Sequence, residues 1–173
     1  MSGTINPGDL VTAIKTIVAA DYDAQRVAVA ALYTDGVTLL NMQAIYRAAL
    51  EQYQSSPSLV VTAIGSGYDY DETDFLDGVP CRRYHDIVME MIIWGNQQTA
   101  TLLPREYLEL QIERQMLALE NTMTAKPRLT VGVTHNADRL YVQDVQYVDV
   151  NTAPKMPLQI RAILTTRVNT SIE

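Results

Sequence analysis

The groups that could do chemistry in this chain are two histidines, one cysteine and one acid-rich loop. His85 and His135 lie far apart, with no His-x-x-x-His or Cys-x-x-Cys spacing near either. Zinc sites are usually assembled from such local pairs, so no metal centre is expected. Cys81, within Gly78-Val-Pro-Cys-Arg-Arg83, matches no cysteine-hydrolase pattern and has no second cysteine to pair with. It reads as a spectator thiol.

The loop from Tyr68 to Asp77 places Asp69, Asp71 and Thr73 at the first, third and fifth positions of a calcium loop. The match then fails, because Asp74 stands where the sharp turn needs glycine and Pro80 where a bidentate glutamate belongs. Besides opportunistic cation binding, two readings of this loop stay open. It is a solvated acidic loop, or Tyr68, Tyr70 and Phe75 dock on a neighbouring subunit while Asp71 and Asp74 meet its basic groups. In the second case the loop is mobile in the free subunit and ordered in the assembly.

No Gly-x-Gly-x-x-Gly, Walker loop or Gly-x-Ser-x-Gly elbow is present. Glu109 and Glu113 are one helical turn apart, with Arg105 and Arg114 nearby, which reads as a solvated helix face. The expectation is a protein that is not an enzyme and needs no cofactor. The rival of another class is a small enzyme whose site is built from scattered residues.

Charge narrows the partners. The net charge is −7, and only Lys15, Lys126 and Lys155 among thirteen basic residues are lysines, so a phosphate-gripping surface is not expected. The pair Arg82-Arg83 reads as solvated arginines at a strand end. An acidic protein can still let DNA pass through a ring without holding it.

Those residues must be positioned by elements, and 173 residues at 47% hydrophobic suffice for one domain over 1–173 with its own core. The apolar run Ile87 to Trp94 is broken by Glu90 and is far shorter than the roughly 20 residues that span a bilayer, so no membrane contact is expected. The N-terminus lacks the pattern of a secretory signal, which implies synthesis in the cytoplasm.

Residues 7–54 read as a helical part and 57–170 as a sheet-and-helix part. Asn6 and Pro7 start a helix whose stripe Leu10, Ala13, Ile14, Ile17 ends near Ala20. Asp21-Tyr-Asp23 reads as a turn, after which residues 22–33 fit a second helix or a short strand, and their alanines favour helix. The set Leu39, Met42, Tyr46, Ala49, Leu50, Tyr53 predicts a helix over Val37 to Gln54.

Leu59 to Ile64 predicts a buried strand, joined by a long connection to an antiparallel partner at Tyr84 to Trp94. There Ile87, Met89, Met91 and Ile93 face one way, and Asp86 and Glu90 the other. Pro104 opens a helix to Met123 along Leu108, Ile112, Met116 and Leu119. Arg128 to Val133 predicts a strand, and Tyr141 to Val150 with Leu158 to Val168 a closing antiparallel pair. In that last strand Arg161 and Arg167 share the face opposite Leu158, Ile160, Ala162 and Leu164. The fold class is α/β of the α+β type: a mainly antiparallel sheet, helices on one face, and extra N-terminal helices.

This order resembles the tail terminator and tail completion proteins of long-tailed bacteriophages. The matching segments are Ser56 to Ile64, Arg83 to Trp94, Pro104 to Met123, Tyr141 to Val150 and Leu158 to Val168. The resemblance implies a virion structural protein of the neck or tail end. Six copies would form a ring that caps the tail tube, halts its growth and docks the head connector. It makes Tyr68, Tyr70, Asp71, Asp74, Phe75, Arg161 and Arg167 candidate interface residues. Such proteins carry one N-terminal helix before the first strand, where this sequence predicts two or three. A different head-tail connector or a sheath-end protein of a phage, tailocin or secretion system is the related alternative.

Overall fold

The computed structural model describes residues 5–48, 55–68, 75–76, 79–80, 82–95, 102–126, 128–131, 135–137, 139–150 and 158–171. In chain order the elements are α1 Pro7–Ala30, β1 Ala44–Tyr46, β2 Ser58–Tyr68, β3 Phe75–Leu76, β4 Val79–Pro80, β5 Arg82–Gly95, α2 Pro104–Thr124, β6 Leu129–Val131, β7 His135–Ala137, β8 Arg139–Val150 and β9 Leu158–Ser171.

α1 begins as its sequence dictates: Asn6 Oδ1 accepts the Gly8 N–H at 2.9 Å, and Pro7 needs no donor there. It does not stop near Ala20. Leu10, Ile14, Val18 and Tyr22 recur every fourth residue, and Val29 continues the same buried stripe. Asp21 and Asp23, which resemble a turn in the sequence, lie on the helix flank, where Asp21 pairs with Lys126 at 3.1 Å and Asp23 with Arg26 at 2.7 Å. Residues 22–30 are therefore helix.

The helix expected over Val37 to Gln54 is not formed in its described part, and residues 49–54 lie outside the described residues. Residues 37–43 are an extended strap, and β1 then runs parallel to β2. The cause is competition for the backbone. Gln111 Nε2 donates to the Thr38 carbonyl at 2.6 Å while Gln111 Oε1 accepts the Leu40 N–H at 3.1 Å. Gln115 Nε2 donates to the Leu40 carbonyl at 2.7 Å, and Arg26 donates to the Leu39 carbonyl at 2.9 Å. Backbone groups held this way by side chains are no longer free for an i to i−4 ladder. The strap buries Val37 and Leu39 and leaves Thr38 exposed, the alternation of extended chain.

The main sheet runs β1-β2-β5-β9-β8, antiparallel except for β1 with β2. The β2–β5 hairpin with its long connection and the closing β8–β9 pair form as the sequence predicts. β3 and β4 make a two-residue ladder inside that connection, so Phe75 belongs to a short strand. Within the strand predicted over Arg128 to Val133, Leu129–Val131 form β6, paired with β7, and residues 132–133 lie outside the described residues.

α1 and α2 cover one face of the sheet, and among the described residues one helix precedes the first strand. Leu10, Ile14 and Val18 from α1 and Leu108, Ile112, Met116 and Leu119 from α2 pack on Leu59, Val61, Ile87, Met89, Met91, Ala162 and Leu164. The fold is thus α+β, with a mostly antiparallel sheet and helices on one side.

Two outcomes follow for stability. Gln111→Ala should lose about 1–3 kcal/mol in urea unfolding, because it strips partners from part-buried backbone groups of the strap. Glu109→Ala on the outer side of α2 should stay within about 0.5 kcal/mol. Asp35 caps the strap's start, and its bond from Arg114 is the main reason its pKa falls from 3.8 to about 2. A depressed acid stabilises the fold above its ordinary pKa and loses that contribution as pH falls towards about 2. Asp35→Asn should flatten the acid limb of a pH–stability curve measured by thermal melts; an unchanged limb would contradict the assignment.

Candidate interface on the uncovered sheet face

Strand alternation divides the side chains of β5 and β9 between two environments. Those opposite the helices include Tyr84, Asp86, Val88 and Glu90 of β5 and Arg161, Ile163, Thr165 and Arg167 of β9. At the edge of this face, the β2 bulge carries Ile64, which is 63% exposed.

The charges on this face are arranged in cross-strand pairs. Asp86 and Arg167 are directly opposite in register, and Asp86 accepts from Arg167 Nε at 2.7 Å and Nη2 at 2.9 Å. Arg161 Nη1 donates to Glu90 Oε1 at 3.1 Å. The four side chains are 20–35% exposed, so both pairs are shielded more than ordinary surface ion pairs. The structure thus brings the predicted interface cations Arg161 and Arg167 to one face and matches each with a carboxylate of β5. A partner would meet neutralised rows flanking apolar Val88 and Ile163, not bare cations.

One end of the face is built on a glycine. A Cβ on Gly67 would lie 2.5 Å from the Tyr84 hydroxyl oxygen, so the absent side chain lets the ring lie over β2. The Arg167 guanidinium stacks on that ring at 4.0 Å from its centroid. Gly67, Tyr84, Arg167 and Asp86 form one layered cluster.

Tyr68 is not part of it. It is the last residue of β2, 44% exposed, and pairs in register with Arg83 on the helix side, where Arg83 lies 5.8 Å from its ring and donates to Ser66 Oγ at 3.1 Å. Arg83 is therefore half-buried and engaged, in contrast to the solvated strand end expected. Tyr70, Asp71, Asp74 and Cys81 lie outside the described residues, and Phe75 is placed through its backbone in β3 alone.

α2 also carries a buried polar row that its sequence does not reveal. Arg114, read as solvated, is 5% exposed; it holds Asp35 through both nitrogens of its fork and stacks on Tyr33 at 3.9 Å. Gln111 and Gln115 are fully buried, and the Tyr22 hydroxyl donates to Gln115. Their turn-by-turn spacing was visible, but their partners lie in a distant strap. Arg105 and Glu109 do pair outward at 2.9 Å, as expected of a solvated face.

His85 is also buried, with neither ring nitrogen hydrogen-bonded, and burial lowers its pKa, Arg83 adding to the effect and Asp86 opposing it. A neutral core imidazole results. Among the described residues no three His, Cys, Asp or Glu side chains gather to hold a metal ion. No described helix is long and apolar enough to cross a membrane. An open groove of about 550 Å³ between α1 and the strap is lined by Lys15, Val18, Tyr22, Asn41, Met42 and Ile45. Its wall also carries Asp23, which pairs with Arg26, while Tyr22 donates to Gln115.

No family model matches the chain, and no curated protein matches it.

The shielding of the cross-strand pairs gives a measurable contrast. A double-mutant cycle on Asp86→Ala and Arg167→Ala should return a coupling of about 1 kcal/mol or more, against about 0.3–0.5 kcal/mol for the exposed helical pair Arg105 and Glu109. Equal couplings would show that the sheet face is as wet as the helix surface.

Proposed function

We propose that this protein is a structural subunit of the neck or tail end of a long-tailed bacteriophage. Copies of it form a ring, most simply a hexamer, that terminates the tail tube and joins it to the head connector in the virion. The observation that carries this reading is the order of elements. One N-terminal helix is followed by a β2–β5 hairpin with a long connection, then α2 and a closing β8–β9 pair, with both helices on one face. The family that the sequence resembles has one helix before its first strand, and among the described residues α1 is the one helix that precedes β2.

Surface chemistry supports the same reading. A ring subunit needs two different contact surfaces per copy, plus faces for tube and connector. The uncovered sheet face, with its neutralised charge rows and apolar residues, suits contact better than catalysis. Ten of the twelve aromatic residues are tyrosines, which give contact area with a polar end. A net charge of −7 suits a ring that DNA crosses without sticking.

In mass photometry the purified protein should show particles of six times the 19.3 kDa chain, or a comparable closed ring, and electron microscopy should place them at tail-tube ends. Tyr70→Ser with Phe75→Ser should reduce those particles while leaving the subunit folded by circular dichroism. A monomer at all concentrations that does not bind tube ends would overturn the proposal.

A further inference from the structure

We propose that the outer edge of β8, with the groove between it and α2, takes an extended basic segment of a partner protein as an added strand of the sheet. β8 runs twelve residues, Arg139–Val150, and ends the sheet order; among the described residues it pairs with β9 alone. The edge amides and carbonyls of such a strand form a ready template for another strand about 4.8 Å away.

Beside this edge lies a groove of about 320 Å³. Its apolar side is Met116 and Leu117 of α2 with Val145 of β8, and Tyr147, 54% exposed, closes one side. Val145 and Tyr147 pair in register with core residues Leu164 and Ala162, so this groove is on the helix side, away from the sheet face described above. An added strand would send every second side chain into it.

Charge selects the occupant. Glu113 and Glu120 line the groove two turns apart on α2, and neither carboxylate makes a hydrogen bond or ion pair among the described residues. Seven helical residues span roughly 10.5 Å, which lysines or arginines at alternate strand positions can reach with their long stems. Burial, with the field of both carboxylates added to it, raises the Tyr147 phenol pKa, a sign that both act on this space.

The same charges disfavour a second β8 edge. Two copies facing each other would bring four groove carboxylates together. A basic strand removes that repulsion and is the better fit.

The inference does not depend on the ring reading and is tested with the full chain and a labelled peptide of alternating lysine and valine. By fluorescence anisotropy this peptide should bind, and an alternating glutamate–valine peptide should bind at least about tenfold more weakly. Glu113→Lys with Glu120→Lys should weaken the lysine peptide by about tenfold or more, and amide NMR shifts should map to residues 142–147 of β8. Methylating alternate peptide amides should abolish binding, because it removes the donors a strand must supply. Three results would overturn the proposal: no binding, binding that survives charge reversal or amide methylation, or a β8 edge already occupied by another copy at working concentration.

Discussion

The side-chain amides of Gln111 and Gln115 stand one turn apart on α2 and bind an extended strap as a neighbouring strand would. They take the Thr38 carbonyl, the Leu40 N–H and the Leu40 carbonyl, and Arg114 anchors the strap's start through Asp35. The rest of the architecture depends on this clamp. The strap leaves the end of α1 and must reach the sheet edge, and holding it extended delivers Ala44–Tyr46 to pair parallel with β2. Tyr22 of α1 donates to the same Gln115, so one polar row sets the strap, α1 and α2 together. Burying such a row is tolerable only because its members find partners.

With both helices committed to one side, the sheet has one face they close and one they leave free, which is nonetheless buried at Val60 and Ile92. On the closed face the requirement is apolar packing, met by methionines and β-branched residues of β5 against the two helices. On the other face Asp86 meets Arg167 directly across the strands and Glu90 meets Arg161 diagonally, so these charges cancel before any partner arrives. A surface of this kind has shape, hydrogen-bonding capacity and little net field. That combination suits contact between subunits.

Much of this was legible where the determinant is local. Period two in β5 and β9 sorts Ile87, Met89 and Met91 from Asp86 and Glu90, and it puts Arg161 and Arg167 on one face. Pro104 and the Leu108, Ile112, Met116 stripe mark α2. Reading failed where the determinant is distant. Leu39, Met42 and Tyr46 fit a helical period, yet Gln111 and Gln115, some seventy positions away, take the backbone that helix would need. Asp21 looked like part of a turn because its cation, Lys126, lies far along the chain, whereas the Asp23–Arg26 pair is local to the helix. Strand register, which matches Asp86 with Arg167, is likewise invisible to a one-dimensional pattern.

The central claim is that this molecule works by contact through the face its helices leave uncovered. Hydroxyl-radical footprinting of dilute subunits and of assembled particles tests it most directly. The account predicts that Ile64, Tyr84 and Ile163 lose reactivity on assembly, while Leu32 and Leu103, exposed beyond the ends of the helices, keep theirs. Unchanged labelling of the open sheet face, with protection confined to the helix side, would contradict it.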